Sequence, residues 1–146
     1  MEVCMEESTT QKCCTVNCTR FFFASIAVFI FVFVFEFVLH GKLLEGMYEA
    51  TMNLWRPEAE MKMPFLLASQ FLFSVFVVWL FTRHYEAKGI CEGTRYGLWI
   101  GLILASLPLA AYSYMPIPLT MVIAWIVGEF VKGLGSGIVA SLVYRK

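Results

Sequence analysis

Two pairs of ionisable residues stand inside long apolar runs, and they are the first candidates for chemistry. Glu36 and His40 lie four residues apart, and Glu129 and Lys132 lie three residues apart. Both spacings bring side chains together on one face of a helix. Because a charge in apolar surroundings is costly, it is usually paired or functional. We expect Glu129 and Lys132 to form an ion pair that fixes helix packing or, alternatively, an ion or proton relay.

The pair Glu36 and His40 has further polar residues at a similar depth in the other apolar runs, namely Gln70, Tyr112 and Thr120. A carboxylate orients a histidine ring and raises its basicity, which suits a proton site or a metal ligand. A complete metal site would need another strong ligand, and the sequence offers none at this depth. Two alternatives therefore stay open for this cluster: a small polar cavity or a hydrogen-bonded polar plug.

The cysteines form a third candidate site. Four of them could supply thiolates to zinc or a softer metal, although their spacing matches no standard zinc site. The simpler alternative is a polar tail whose thiols have no role, so both metal and cofactor stay undetermined. The candidate ligands are Cys13, Cys14, Cys18 and Cys91.

Composition predicts what must hold these residues in place. The chain is 60% apolar and only 15% charged, which is far from a soluble domain. Four apolar runs reach the roughly 20 residues needed to span a bilayer, and the first is too long for a cleaved signal segment. We predict an all-α transmembrane four-helix bundle in the lipid bilayer. A net charge of zero does not suggest a nucleic-acid partner. The predicted spans are 21–40, 64–82, 95–114 and 117–144.

The segment between the first two spans has a helical period of its own. Apolar residues recur at three- and four-residue steps across 42–55, and Tyr48 and Trp55 fall on that face. This pattern is typical of an amphipathic helix lying on the membrane surface, with its aromatic residues at headgroup level. The alternative is that the helix folds over the mouth of the bundle.

Small residues at four-residue spacing predict how two of the spans pack, because helices in lipid approach closely where side chains are small. The third and fourth spans share a tight connection, so their stripes should meet, unless one stripe faces a second protomer. The phenylalanine-rich first span should instead face lipid or pack loosely. The two stripes are Gly97, Gly101 and Ala105 in the third span, and Gly133, Gly137 and Ser141 in the fourth.

The basic residues predict the orientation, since Lys and Arg favour the cytoplasmic side. We therefore expect a cytoplasmic, cysteine-containing tail at 1–19, a transmembrane domain at 20–146, and both termini in the cytoplasm. The terminal side holds Lys12, Arg20, Arg83, Lys88, Arg95, Arg145 and Lys146, whereas the other side holds only Lys42, Arg56 and Lys62.

Two stretches carry a resemblance to an uncharacterised family of small bacterial four-span inner-membrane proteins. The resemblance covers the spans but not the cysteine tail. It implies a bacterial inner-membrane setting and no particular activity. The stretches are His40-Gly41-x-Leu43-Leu44-x3-Tyr48-x2-Thr51-x2-Leu54-Trp55-Arg56-Pro57 and Glu92-Gly93-x-Arg95-Tyr96-Gly97-x3-Gly101.

Three functional hypotheses follow. The first is a non-enzymatic membrane protein that works by association, as an accessory subunit of a membrane complex or as a homo-oligomer. The second is a small ion, proton or solute transporter that uses Glu129 with Lys132 and Glu36 with His40. It requires a cavity between helices at Glu129. The third is a metal- or haem-binding membrane protein.

Overall fold

The computed structural model describes residues 17–145, and four long helices dominate them. All four are long and apolar enough to cross a membrane, and the described residues include no strand. The prediction of an all-α bundle with four spans is therefore confirmed. The helices are α1 (Cys18–Val38), α2 (Glu45–Ala50), α3 (Met63–Arg83), α4 (Ile90–Tyr114) and α5 (Leu119–Val143).

The first span extends further than its sequence indicated. α1 begins at the Asn17 cap, whose side chain accepts a hydrogen bond from the Arg20 N–H at 3.1 Å. At its other end it continues as a π-helix over Leu39–Leu43, so the continuous helical span runs from Cys18 to Leu43. Single π turns inside helices often occur at functional sites.

The connection between α3 and α4 is shorter than expected, because α4 begins at Ile90 rather than near residue 95. The carboxylate of Glu92 is buried and accepts the backbone N–H groups of Glu86 at 2.6 Å and Lys88 at 2.9 Å. Ala87 and Gly89 adopt positive φ and reverse the chain. The charged residues of this turn had indicated a longer loop.

α4 packs along its length on α5 through the two small-residue stripes. A Cβ added at Gly133 would overlap backbone atoms of Gly101, and one at Gly137 would lie 2.5 Å from the Cα of Gly97. A Cβ added at Gly93, which lies outside the predicted stripe, would overlap the side chain of Ser141. The two backbones are thus in direct contact, and both stripes are used within one protomer.

The expectation that the first span faces lipid or packs loosely fits one face of α1, on which Phe22, Phe33 and Phe37 are exposed. The other face packs against both α3 and α5 and buries Val28 and Val32 completely or nearly so. Its large side chains are accommodated because glycines of α5 lie opposite them. A Cβ added at Gly135 would overlap the Phe31 ring, and one at Gly128 would overlap Leu39.

The segment 39–55, here called the lid, folds over one end of the bundle. Leu44 is buried, and Tyr48 and Trp55 pack on a cluster formed by the start of α5. The second of the two alternatives for this segment is thus the observed one. The cluster under the lid consists of Ile117, Met121 and Val122.

Both ends of the described chain meet at the other end of the bundle. The Asn17 N–H donates to the Tyr144 hydroxyl at 3.2 Å, and the Arg20 guanidinium donates to the Arg145 carbonyl. This termini end and the lid end are therefore opposite faces of one bundle. A buried aromatic group closes the termini end, where the Tyr96 hydroxyl also donates to the Val77 carbonyl at 2.7 Å.

Candidate functional site: a charge cluster inside the bundle

The ionisable residues of α1 and α5 form one cluster. Lys132 Nζ lies 2.6 Å from Glu129 Oε1 and 2.7 Å from Glu36 Oε1. The three side chains are 13%, 22% and 17% exposed, so a single ammonium group lies between two largely buried carboxylates. We call Glu36, His40, Glu129 and Lys132 the charge cluster.

The predicted separation of these residues into two sites is wrong. The pairing of Glu129 with Lys132 is as their spacing indicated, but Lys132 also reaches Glu36 on another helix. Because the π-helix extends the first span to Leu43, Glu36 lies about seven residues, or roughly 10 Å, before its end. This added length places Glu36 deeper than a count ending at His40 implied.

His40 connects the charge cluster to the lid. Its Nε2 lies 3.1 Å from Glu36 Oε2, and its Nδ1 lies 2.6 Å from the Tyr48 hydroxyl. Trp125 of α5 donates its indole N–H to the same hydroxyl at 3.1 Å. Burial raises the pKa of Tyr48 to about 12, so this phenol keeps its proton at neutral pH.

The direction of the bond between His40 and Tyr48 depends on the histidine tautomer. In the neutral tautomer with its proton on Nε2, His40 donates to Glu36, and its Nδ1 accepts the O–H of Tyr48 while the Tyr48 oxygen accepts from Trp125. The chain Trp125, Tyr48, His40 and Glu36 thus links the lid to a carboxylate of the cluster.

The charge of the cluster depends on His40. Two carboxylates and one ammonium leave one net negative charge when the imidazole is neutral, and a proton on the imidazole balances it. An uncompensated charge inside a bilayer costs at least ~2.5–3.5 kcal/mol at the helix centre. The arrangement therefore favours the uptake of one proton or one other monovalent cation.

Two cavities adjoin the cluster, and Lys132 lines both of them. The α1/α3 cavity has a volume of about 280 Å³ and contains Glu36 and Gln70 in its wall. The α4/α5 cavity has a volume of about 450 Å³ and contains His40, Glu129 and the buried Pro108. A carboxylate of the cluster thus borders each cavity, with the ammonium group of Lys132 between the two carboxylates.

Two of the predicted outer-leaflet polar residues lie away from this site. Tyr112 and Thr120 are exposed on the outside of the bundle, whereas Gln70 lines the α1/α3 cavity. Thr120 precedes Glu129 by nine residues, which places it on the opposite face of an α-helix. Similar depth alone could not distinguish inward from outward faces.

The predicted metal site falls largely outside the part of the chain described here. Cys13 and Cys14 lie beyond residues 17–145, whereas Cys18 and Cys91 are exposed at the termini end. Within residues 17–145, no group of three or more His, Cys, Asp or Glu side chains could hold a metal ion.

The two stretches that carry the family resemblance have clear structural roles. In the second, Glu92 caps the turn before α4, Arg95 pairs with Glu86 at 2.9 Å, and the glycines meet α5. In the first, His40 and Tyr48 join the lid to the cluster, while the Trp55 indole donates to Thr51 at 2.9 Å. The first stretch therefore reaches the candidate site, and the second supports the fold.

Comparisons with known proteins leave the site to be interpreted from its geometry. No protein-family model matches the chain, and neither the curated proteins nor the solved structures contain a match.

Proposed function

We propose that this protein is a small membrane transporter that moves a proton or another monovalent cation through its bundle. The observation that carries this proposal is the position of Lys132, which pairs with Glu36 and Glu129 and lines the cavity beside each of them. The second sequence hypothesis required a water-accessible cavity at Glu129, and the α4/α5 cavity, which has Glu129 in its wall, supports that hypothesis.

The charges allow Lys132 to change its carboxylate partner when another cation binds. A cation that binds at one carboxylate takes over the role of Lys132 there, and the lysine then neutralises the other carboxylate. Because Lys132 has a flexible four-carbon stem, this change requires rotation about side-chain bonds rather than movement of a helix. The two states of Lys132 would expose the bound cation to one cavity or to the other.

The test is proton flux into liposomes that contain the purified protein and an internal pH-sensitive dye, driven by a potassium diffusion potential. The double variant Glu129→Gln with Lys132→Met removes one charge of each sign, so the net charge of the cluster does not change. We expect the flux of this variant to fall at least tenfold. The matched control changes Glu49→Gln and Lys42→Met, which are exposed on the lid.

An unchanged flux in the cluster variant would rule out the proposed pathway. The same conclusion would follow if wild-type liposomes carried no more flux than protein-free liposomes, for protons and for potassium or methylammonium alike. A loss of flux in the lid control as well would indicate a general effect of charge on reconstitution and would contradict a specific role of the cluster.

We further propose a bacterial inner-membrane location with both termini in the cytoplasm and the lid in the periplasm. The distribution of Lys and Arg supports this orientation, because the termini end carries most of the basic residues outside the spans. The resemblance of the two quoted stretches to bacterial four-span proteins supports the same location.

Association is a second candidate, and one observation favours it. α4 packs extensively on α5 only, whereas α1 packs on both α3 and α5. Its outward face presents Trp99, Leu102 and Ile103, which are 62%, 48% and 62% exposed. A second copy or another membrane protein could cover this face.

Mild purification from the native membrane followed by native mass spectrometry tests this association. A solitary monomer would exclude it.

A further inference from the structure

We infer that the α1/α3 cavity is a binding site for a primary ammonium group, R–NH3⁺. This inference names the substrate class of the proposed transport and to that extent rests on it, although binding itself can be measured without transport. Its starting point is two buried acceptor atoms that line this one cavity. Within residues 17–145, Gln70 Oε1 has no donor, and Glu36 Oε1 has the ammonium group of Lys132 at 2.7 Å.

Burying an acceptor atom without a donor costs about 1–3 kcal/mol of stability, because the atom loses its hydrogen bonds to water. Lys132 Nζ lies 2.7 Å from Glu36 Oε1, and a carboxylate oxygen that accepts from one donor still has a lone pair for another.

A third acceptor borders the same cavity. Ser69 donates its hydroxyl proton to the Leu66 carbonyl at 2.8 Å, so its oxygen is left with lone pairs only. Glu36, Gln70 and Ser69 together offer three acceptors, and a primary ammonium has three N–H donors. The phenyl ring of Phe73 forms another part of the wall, and its face, which attracts cations, already lies 5.7 Å from Lys132 Nζ.

Charge and ligand number support the same chemistry. One bound ammonium cancels the net negative charge that the cluster has when His40 is neutral, which an uncharged donor such as an alcohol would leave in place. A hard metal ion such as Mg²⁺ or Ca²⁺ takes about six or more oxygen ligands, whereas only Glu36, Ser69 and Gln70 bring side-chain oxygens to this cavity. An organic ammonium needs fewer partners and can use the apolar walls.

The cavity opens on the side of the bundle. Leu66 and Ser69 are exposed on the lateral surface of α3, within the predicted span, so the opening faces the bilayer. The ammonium could therefore belong to a free amine or to the ethanolamine headgroup of a lipid. Both sources share the R–NH3⁺ group, and the experiment below separates them.

The experiment measures binding to the purified full chain in a mild detergent at pH 8 by isothermal titration calorimetry. Methylammonium is the probe, and tetramethylammonium is the matched control, because it has the same charge and no N–H donor. We expect saturable binding of methylammonium and at least tenfold weaker binding of tetramethylammonium and of potassium ions.

Two variants locate the site without changing the charge of the cluster. Gln70→Leu removes one acceptor and should weaken methylammonium binding at least tenfold, while Ser69→Ala, which is less disruptive, should weaken it at least threefold. Ser106→Ala, a change at an exposed serine of α4 with the same type of hydroxyl contact, should have no effect. Thermal unfolding of each variant verifies that it is folded.

A second arm identifies the source of the ammonium. Nanodiscs of phosphatidylethanolamine should weaken methylammonium binding relative to phosphatidylcholine if the lipid headgroup is the ligand, and equal binding in both lipids indicates a free amine. Both results support an ammonium site. Equal affinity for tetramethylammonium, tighter binding of potassium, no saturable binding, or full affinity in both cavity variants would overturn it.

Binding and transport can fail separately. If methylammonium binds as expected and no flux is seen, the ammonium site stands and the transport proposal falls. If proton flux depends on the cluster and no amine binds, the transport proposal stands and the substrate class is wrong.

Discussion

Lys132 is the residue on which the candidate site depends, because its ammonium group is the cation shared by Glu36 and Glu129. An isolated Glu and Lys one turn apart could neutralise each other and need no function. A lysine shared by two carboxylates cannot satisfy both charges. The third charged side chain turns a structural ion pair into a site that attracts a further cation.

The first prediction concerns removal of this shared cation. Lys132→Met leaves two buried carboxylates without a counter-charge, so we expect the free energy of unfolding to fall by ~3–5 kcal/mol. Unfolding in detergent micelles, followed by circular dichroism, measures the change. Adding Glu36→Gln to Lys132→Met should restore part of the loss, and Lys42→Met on the exposed lid should change little. Wild-type stability in the Lys132 variant would contradict the buried pairing.

The second prediction concerns pH dependence at the termini end. Hydrogen bonds from Lys88 and Arg95 hold the pKa of Glu86 below its usual range. Their stabilising effect is present above the unfolded-state pKa and is lost as the pH falls through the lower folded-state pKa. Glu86→Gln should therefore have a lower Tm than the wild type at pH 7, and the difference should close in acid.

The control for this experiment is Glu49→Gln, because no ion pair of Glu49 occurs among the described residues. Its effect on Tm should be small and should not follow the same pH profile. A Tm difference for Glu86→Gln that is constant from pH 7 to pH 3 would argue against these ion pairs.

At the scale of the elements, the lid is held by polar and aromatic contacts rather than by its own helical stability. α2 has only six residues, too few for a stable isolated helix. The Tyr48 ring packs on Trp55, and Trp55 packs on Trp125, with centroids 5.3 Å and 6.0 Å apart. The lid should therefore open more readily than the bundle beneath it.

The third prediction tests this attachment. Tyr48→Phe keeps the ring but removes the hydroxyl that accepts the Trp125 N–H and forms a hydrogen bond with His40 Nδ1. Leaving such groups unpaired costs about 1–3 kcal/mol, which corresponds to about 5- to 150-fold faster hydrogen exchange of lid amides. Mass spectrometry of the lid peptides measures the rate. Tyr114→Phe, at a 74% exposed position, should leave it unchanged, and an equal rate in both variants would disprove the role of the hydroxyl.

The fourth prediction concerns the contact between α4 and α5. In Gly133→Ala the added methyl group meets backbone atoms of Gly101, which cannot rotate away as a side chain would. We expect a loss of ~1–3 kcal/mol in the free energy of unfolding. Gly46→Ala is the matched control: it has no neighbour within 4 Å and lies in a helix, so it should be neutral or stabilising by up to ~1 kcal/mol.

At the scale of the whole molecule, the lid and the described chain ends lie at opposite ends of a bundle whose four long helices could each cross a bilayer. This arrangement gives the charge cluster a lid above it and a closed aromatic layer, including Phe81 and Tyr144, below it. A transported cation would have to pass that layer, whereas the two lateral cavities reach the cluster directly.

The fifth prediction tests the orientation. In a cysteine-free variant that retains only Cys91, a membrane-impermeant maleimide should label the protein only after the cells are permeabilised. The same variant with Asn53→Cys in place of Cys91 should be labelled in intact cells, because the exposed residue 53 lies on the lid side. The reverse pattern would invert the orientation, and labelling of both from one side would contradict four spans.

Much of the fold could be predicted from local sequence patterns. Four apolar runs indicate four spans because length and hydropathy suffice to place a helix in a bilayer. The stripes at Gly97 and Gly133 are recognisable because a helix repeats its face every three to four residues. The tight turn between α3 and α4 could not be anticipated, since the Glu92 carboxylate that organises it looks like any other loop charge.

The sequence by itself determined which residues carry charge inside the spans and which of them share a helix face, namely Glu129 with Lys132 and Glu36 with His40. Only the tertiary structure decided that Glu36 meets Lys132, that Gln70 borders this site, and that the lid reaches it through Tyr48. The physical reason is that contacts between helices depend on their relative rotation and depth. The π-helix at Leu39–Leu43 and the glycines opposite Phe31 and Leu39 determine the rotation and depth of α1 relative to α5. The periodicity of a single helix reveals neither the π-helix nor the contact with these glycines.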